Sequence, residues 1–311
     1  MIGIYFLCGM IGLAVILALI ALWAYHMAFH HKKSQRDLCQ AFQFGPYAPY
    51  YQATVDLMAE MKAIPFESVT ISSADGLALH GRYYHWQDGA PLQIQFHGYK
   101  GHPMRDFCGG HKLARELGFN VLVIDQRAHA KSQGRTITFG ILERQDCLAW
   151  VNYAVKRFGE ACPIYLAGVS MGAATVLMAT ELALPPQVKG IIADCPYSSP
   201  KAIICKVSND VHIPARLSFP FARLGALLYG KFVFRTHISA VNAVKSANIP
   251  ILLIHGEADD FVPCHMSREI YEACASPKTL VVIPNAPHGM SYLQDPDGYR
   301  QAVEDFVTQT K

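Results

Sequence analysis

The chain carries a serine, an acid and a histidine in an order that suits attack on an acyl carbon. Ser170 stands in Gly168-Val169-Ser170-Met171-Gly172, between the apolar run Ile164–Ala167 and the small-residue run Ala173–Thr180. A strand that turns straight into a helix strains the residue at the turn and presents its side chain at the sheet edge. Glycines two positions to either side remove side chains that would collide across so tight a turn. The serine then lies at a helix N-terminus, where free N–H groups favour developing negative charge.

A serine hydroxyl is a weak nucleophile. It needs a base, and the base needs an orienting carboxylate. Two later strand ends supply both. Ile249–Ile254 runs into His255-Gly256-Glu257-Ala258-Asp259-Asp260, and Leu280–Ile283 runs into Asn285-Ala286-Pro287-His288-Gly289. His288 is the candidate base. Asp259 is the candidate acid by its place after the strand, with Asp260 and Asp194 as alternatives. His255, which ends a strand before a glycine, reads as a residue that holds the loop. Acyl transfer also needs donors to the oxyanion. Met171 N–H, directly after the nucleophile, is one. Tyr99 N–H, in His97-Gly98-Tyr99-Lys100-Gly101 after the strand Leu92–Phe96, is the other.

Such residues need a scaffold that brings several strand ends to one edge. Ser68–Ser72 alternates, Asp75-Gly76 supplies a hairpin turn, and Leu77–Tyr84 continues as a second strand. Strands at Leu92–Phe96, Asn120–Ile124, Ile164–Ala167, Val188–Ala193, Ile249–Ile254 and Leu280–Ile283 then alternate with helices. The helices are expected at Met104–Leu117, Ile141–Phe158, after Ser170, near His265–Ala275 and at Pro296–Val307. This pattern predicts an α/β fold: a mostly parallel sheet with helices on both faces and an antiparallel hairpin at its N-terminal side. Residues 199–248, with Pro214, Pro220 and the apolar stretch Leu217–Phe234, read as a helical lid over the sheet edge.

His97-Gly98, Asp125-Gln126-Arg127 with His129 and Ser132-Gln133-Gly134, the Gly168–Gly172 pentapeptide, His255-Gly256 with Asp259 and Val262-Pro263, and Pro287-His288-Gly289 together resemble the α/β-hydrolase superfamily. The likeness is nearest to its serine-aminopeptidase and monoacylglycerol-lipase-like branch, and it covers about residues 67–309. It implies the α/β-hydrolase fold and a serine hydrolase without a metal or organic cofactor. It also implies structural roles for Arg127 and His129. The family pattern has glycines where Ala128 and Ala130 stand.

Hydrophobic residues make up 51% of the chain and charged residues only 16%. The excess has a local source. Ile2–Ala24 is continuously apolar and uncharged, and at ~1.5 Å per residue it is long enough to cross a ~30 Å hydrocarbon layer. The run is too long for the core of a signal peptide, has no basic segment before it, and ends at Trp23-Ala24-Tyr25, a poor cleavage site. It therefore reads as a transmembrane anchor (residues 1–29), followed by a juxtamembrane connector (30–66) and a hydrolase domain (67–311). His30, His31, Lys32, Lys33 and Arg36 follow the span, which by the positive-inside rule places the domain on the cytoplasmic side. Nine cysteines without a C-x-x-C pair suit a reduced compartment. The net charge of +3 implies no nucleic-acid surface.

The expected function is a membrane-anchored serine hydrolase acting on a carboxylic ester, with a small or lipid-like acyl substrate. A peptidase or acyltransferase of the same fold is the enzymatic rival. A non-catalytic binding module on a hydrolase fold is the non-enzymatic one.

Overall fold

The computed structural model describes residues 1–33 and 39–310. Arg36 of the basic flank lies outside the described residues. Among these, eight strands form one sheet: β1 (Glu67–Ser72), β2 (Ala78–Tyr84), β3 (Leu92–Phe96), β4 (Asn120–Asp125), β5 (Ile164–Val169), β6 (Val188–Asp194), β7 (Ile251–Gly256) and β8 (Lys278–Ile283). Their order is β1-β2-β4-β3-β5-β6-β7-β8. β2 is antiparallel to both β1 and β4, and every pairing from β4 onward is parallel. β3 and β4 are buried throughout: β4 carries the continuous apolar run Val121–Ile124, whereas β3 includes Gln93 and Gln95, whose buried amides bond each other at 2.7 Å. The Asp75-Gly76 turn closes the first hairpin, with Gly76 at φ +83° and Ser72 opposite Ala78.

Twelve α-helices lie among the described residues, besides three short 3-10 helices: α1 (Ile2–Ala28), α2 (Tyr51–Ala63), α3 (Pro103–Asp106), α4 (Cys108–Glu116), α5 (Glu143–Phe158), α6 (Met171–Ala179), α7 (Pro200–Asp210), α8 (Ala215–Leu228), α9 (Ala240–Ala243), α10 (His265–Ala273), α11 (Ser291–Gln294) and α12 (Pro296–Thr310). Trp150 and Val151 of α5, the whole of α6, and Met266 and Ile270 of α10 pack on one face of the sheet. Leu113 of α4, Met61 of α2, and Val303 and Phe306 of α12 pack on the other. The mixed sheet, mostly parallel and covered on both faces, is the fold the sequence predicts.

Three local differences have physical causes. The single helix expected at Met104–Leu117 is broken at Phe107 (φ −118°, ψ 10°). Just beyond the break, Gly109 lies under the Tyr292 ring, where an added Cβ would come within 2.3 Å of a ring carbon. β7 starts two residues later than expected because Pro250 has no N–H to give to a ladder, and it runs on through His255-Gly256. Ala128 and Ala130 keep the left-handed backbone that glycine favours, at φ +66° and +38°. Alanine holds that backbone at a local strain cost.

The N-terminal helix is docked rather than free. Residues 2–20 of α1 are exposed, apart from the half-buried Ala18, whereas Ala21, Ala24 and Tyr25 are buried. They pack on α8 at Gly225, where a Cβ would stand 2.4 Å from the Ala21 carbonyl oxygen. Tyr229 Oη donates to the Ala18 carbonyl at 2.9 Å, and Tyr25 Oη bonds Thr136 Oγ1 at 2.8 Å. Phe29, fully buried, meets the Phe139 and Phe232 rings edge-on at 5.8 and 5.4 Å.

Among the glycines of the described residues the tightest approach is at Gly172, where a Cβ would lie 1.7 Å from the Phe96 carbonyl oxygen. Gly172→Ala is therefore expected to leave little folded protein. Ala130→Gly is expected to stabilise by about 0.5–1 kcal/mol, because it relieves a left-handed alanine. Thermal unfolding of the full chain in detergent, followed by circular dichroism, reads both.

Candidate active site

The elbow is built as its glycines require. Ser170 adopts φ +56°, ψ −116°, a conformation that L-residues rarely hold. It is fixed from both sides. Its N–H donates to the Asp194 carbonyl at 2.8 Å, and its carbonyl accepts from Ala174 N–H at 3.0 Å. A Cβ on Gly168 would stand 2.4 Å from Ala173 N, so only glycine lets α6 start where it does. The serine is buried, however, and not presented on an open edge: its hydroxyl faces a covered cavity.

His288 hangs in the loop after β8, between Asn285 and Gly289, both of positive φ. Its Nε2 lies 2.9 Å from Ser170 Oγ and its Nδ1 lies 2.6 Å from Asp259 Oδ2. Asp259 Oδ1 accepts from the N–H groups of Phe261 at 3.0 Å and Val262 at 2.7 Å. The geometry thus selects among the three acids. Asp260 is exposed, and its carbonyl accepts from Lys206 Nζ. Asp194 accepts from Ser291 Oγ at 3.1 Å.

Electrostatics separates the acids in the same way. Burial alone would raise the Asp259 carboxyl, but bonds from His255, His288 and Val262 N–H outweigh it and hold it down at about 2. Burial pushes Asp194 up to about 6, only partly offset by the nearby imidazoles and Ser291. The carboxylate that stays ionised beside the imidazole is Asp259.

Tyr99 and Met171 lie where the sequence places them, after β3 and directly after Ser170. Neither backbone N–H has an acceptor among the described residues. Gly98, beside Tyr99, would bring a Cβ within 3.5 Å of Ser170 Cβ, and its N–H donates to Asp106 Oδ2 at 2.9 Å. The Tyr99 ring stacks on Phe139 at 4.9 Å, and its hydroxyl donates to the Ala28 carbonyl at 2.8 Å.

His255 and Arg127 hold structure as the sequence suggests, while the contact of His255 with Asp259 and the place of Cys195 escape sequence reasoning. His255 holds its loop through Ser267 Oγ at 2.6 Å and the Val262 carbonyl at 2.7 Å, but its Nε2 also stands 3.3 Å from Asp259 Oδ2. The i, i+4 spacing of His255 and Asp259 was the available signal. Arg127 bridges Asp146 of α5 and Asp75 of the hairpin turn, so it ties the scaffold together away from the serine. Cys195, at φ +46°, has a ligand atom within 4.8 Å of those of Asp259 and His288. Burial holds its thiol well above the ordinary range, and His288 and Asp259 spend their facing atoms on each other. That trio reads as the edge of the serine site and not as a metal cluster.

Two cavities of similar size meet at Ser170. One, about 190 Å³, is bounded by Phe42, Tyr47, Arg105, Asp106, Asp194 and Tyr292. Tyr47 reaches it stacked on Phe42 at 5.2 Å, so this connector tyrosine packs on the domain. The other, about 200 Å³, lies between α1, α7 and α8, and no charged side chain lines it.

Asp194 generates a pH prediction. Its folded carboxyl keeps a proton up to about pH 6, while in the unfolded chain the proton leaves near 4. Between these values the folded state binds more protons, so stability falls as pH rises from about 4 to 6 and stays lower above. The penalty is on the order of 3 kcal/mol. Asp194→Asn should therefore melt higher than the parent at pH 8, with the gain shrinking towards pH 4.

Comparison with known proteins agrees with this architecture. The sequence profile described as serine aminopeptidase, S33, matches residues 92–225 and 226–296. The YqkD protein of Bacillus subtilis is 27% identical over 253 residues, covering 81% of this chain and 82% of that protein. The Pyrococcus furiosus esterase Pf2001 superposes with a TM-score of 0.64 at 24% identity, over 81% of this chain and 93% of its own. Est1E of Butyrivibrio proteoclasticus, solved with ferulic acid bound, superposes at 0.60 and 21% identity, over 78% and 98%. With elbow, histidine and acid at the ends of β5, β8 and β7 and the profile spanning most of the sheet, the chain belongs to the serine aminopeptidase S33 family of α/β-hydrolases.

Proposed function

We propose that the protein is a membrane-anchored serine hydrolase that cleaves carboxylic esters through an acyl-enzyme. The observation that carries this reading is the hydrogen-bonded chain Ser170–His288–Asp259, at 2.9 and 2.6 Å, beside two unengaged amides. His288 Nε2 takes the proton from Ser170 as Oγ bonds to the carbonyl carbon. The Tyr99 and Met171 N–H groups receive the oxyanion. Asp259 stabilises the imidazolium and holds its tautomer. His288 then protonates the leaving alkoxide as the C–O bond breaks, and water, deprotonated by the same imidazole, releases the acid.

Preference for an ester over an aminopeptidase substrate follows from the lining. An aminopeptidase needs a free carboxylate for the substrate amine. Asp106 is engaged by Arg105 and Gly98 N–H, and Asp194 is buried and accepts from Ser291 Oγ at 3.1 Å. The esterases among the structural neighbours favour the same direction.

The proposed organisation is an anchor (1–29), a connector (30–66) and a hydrolase domain (67–311) whose α7–α9 segment within residues 199–248 acts as the lid. A cleaved leader would not leave Tyr25 and Phe29 packed in the domain core, which favours a permanent anchor. The basic flank at Lys32 and Lys33 favours a cytoplasmic domain.

A membrane-impermeant fluorophosphonate is expected to label the wild type in lysed but not in intact cells, and to leave Ser170→Ala unlabelled. His288→Ala should lower ester turnover by roughly 10³–10⁶-fold. Near-normal turnover in that variant, or labelling that survives Ser170→Ala, sinks the reading.

A further inference from the structure

The family profile begins at residue 92, so it assigns nothing to α1. Yet the C-terminal turns of α1 are part of the site. Trp23, Ala24, Met27 and Ala28 line the uncharged cavity that reaches Ser170, opposite Ile203, Ile204 and Val207 of α7. The same turns grip the loop that carries the second candidate oxyanion donor. Tyr99 Oη donates to the Ala28 carbonyl at 2.8 Å, and Lys100 Nζ donates to the Met27 carbonyl at 3.4 Å.

The position of these turns relative to a bilayer follows from burial. The stretch of α1 that is exposed on every side ends where Ala21 meets α8. Residues 2–20 at ~1.5 Å each span about 28 Å, close to the hydrocarbon thickness. Trp23 and Met27 therefore stand at the membrane boundary, half or more exposed, at the edge of the cavity. Val211 and Leu217 on the facing lid segment, and Leu227 and Leu228 at the far end of α8, are exposed apolar residues too. Val211 shares the lining of the cavity with Trp23 and Met27, and Leu227 and Leu228 follow Gly225, which packs on Ala21.

We infer that α1 is the wall of an acyl-chain site as well as an anchor: the chain of a membrane-resident ester passes from the leaflet between Trp23 and Met27 and the α7–α8 lid, and lies in the uncharged cavity with its carbonyl at Ser170. The inference rests on the ester-hydrolase reading. The alcohol portion lies in the second cavity, where Arg105, Asp106 and Asp194 offer polar partners. This assignment of the two cavities follows from their chemistry, since an alkyl chain gains from leaving water where no charge must be desolvated.

The test uses the full chain in lipid nanodiscs. A long-chain alkyl fluorophosphonate with a diazirine at the chain end is attached to Ser170, irradiated, and the cross-linked peptides are mapped. Cross-links within residues 23–28 and in α7 are expected. Cross-links confined to the connector around Phe42–Thr54 overturn the inference. A second readout is the ratio of kcat/KM for p-nitrophenyl laurate to that for the acetate. Ala28→Leu, which fills the cavity, should lower that ratio at least tenfold. A ratio within twofold of wild type, with both esters still hydrolysed, counts against the wall. If the wild type neither reacts with the probe nor turns over either ester, the hydrolase reading falls first and this inference with it.

Discussion

The site depends on how closely the first turn of α6 approaches the end of β3. At Gly172 the two backbones meet with no room for a side-chain carbon. That contact lets the strand turn into a helix within one residue and forces Ser170 into its unusual conformation. It also sets the β3 loop directly beside the nucleophile, so that Gly98 borders Ser170 and Tyr99 N–H comes next in the chain. The strain at Ser170 is sustained by cooperation: β6 accepts its N–H, and α6 hangs from its carbonyl. The acid and base need no comparable device. They leave adjacent parallel strands, β7 and β8, and the register of that pair brings their loops together.

A second dependence links this edge to the N-terminal helix. α1 touches α8, Thr136, the Tyr99 loop and the aromatic cluster around Phe29. A helix attached at so many points shares the rigidity of the domain, which keeps the catalytic edge at a fixed distance from any bilayer the helix crosses. α8 packs on α1 and α7 packs on α8, and all three border the uncharged cavity at Ser170, so the N-terminal helix and the 199–248 segment together cover that side of the serine.

Much of this was legible in the sequence because most of the buried parallel strands, such as Val121–Ile124 and Ile251–Ile254, leave apolar runs, and because the elbow tolerates few residue types. Ser170, His288 and a short list of acids, Asp259 before Asp260 and Asp194, followed from counting strand ends, whereas the contact of Asp259 with His288 did not. The rest depended on contacts between distant segments, which periodicity does not encode. The break before Cys108 comes beside Tyr292, far along the chain. The docking of α1 was hidden for a different reason. Lipid and protein interiors accept the same side chains, so a helix apolar on every side does not reveal which face meets protein. The cover over Ser170 was legible only in part: residues 199–248 read as a segment over the sheet edge, but α1 and the connector also border its cavities, and both lie outside the strand–helix pattern.

The central claim is covalent chemistry at Ser170, and the most direct measurement is pre-steady-state turnover of a p-nitrophenyl ester by the full chain in detergent. The account predicts a burst of p-nitrophenol approaching one equivalent per enzyme, and an acid-quenched acyl adduct that mass spectrometry places on the peptide containing Ser170. Linear product release with no adduct on any residue, or an adduct on a peptide without Ser170, would contradict it.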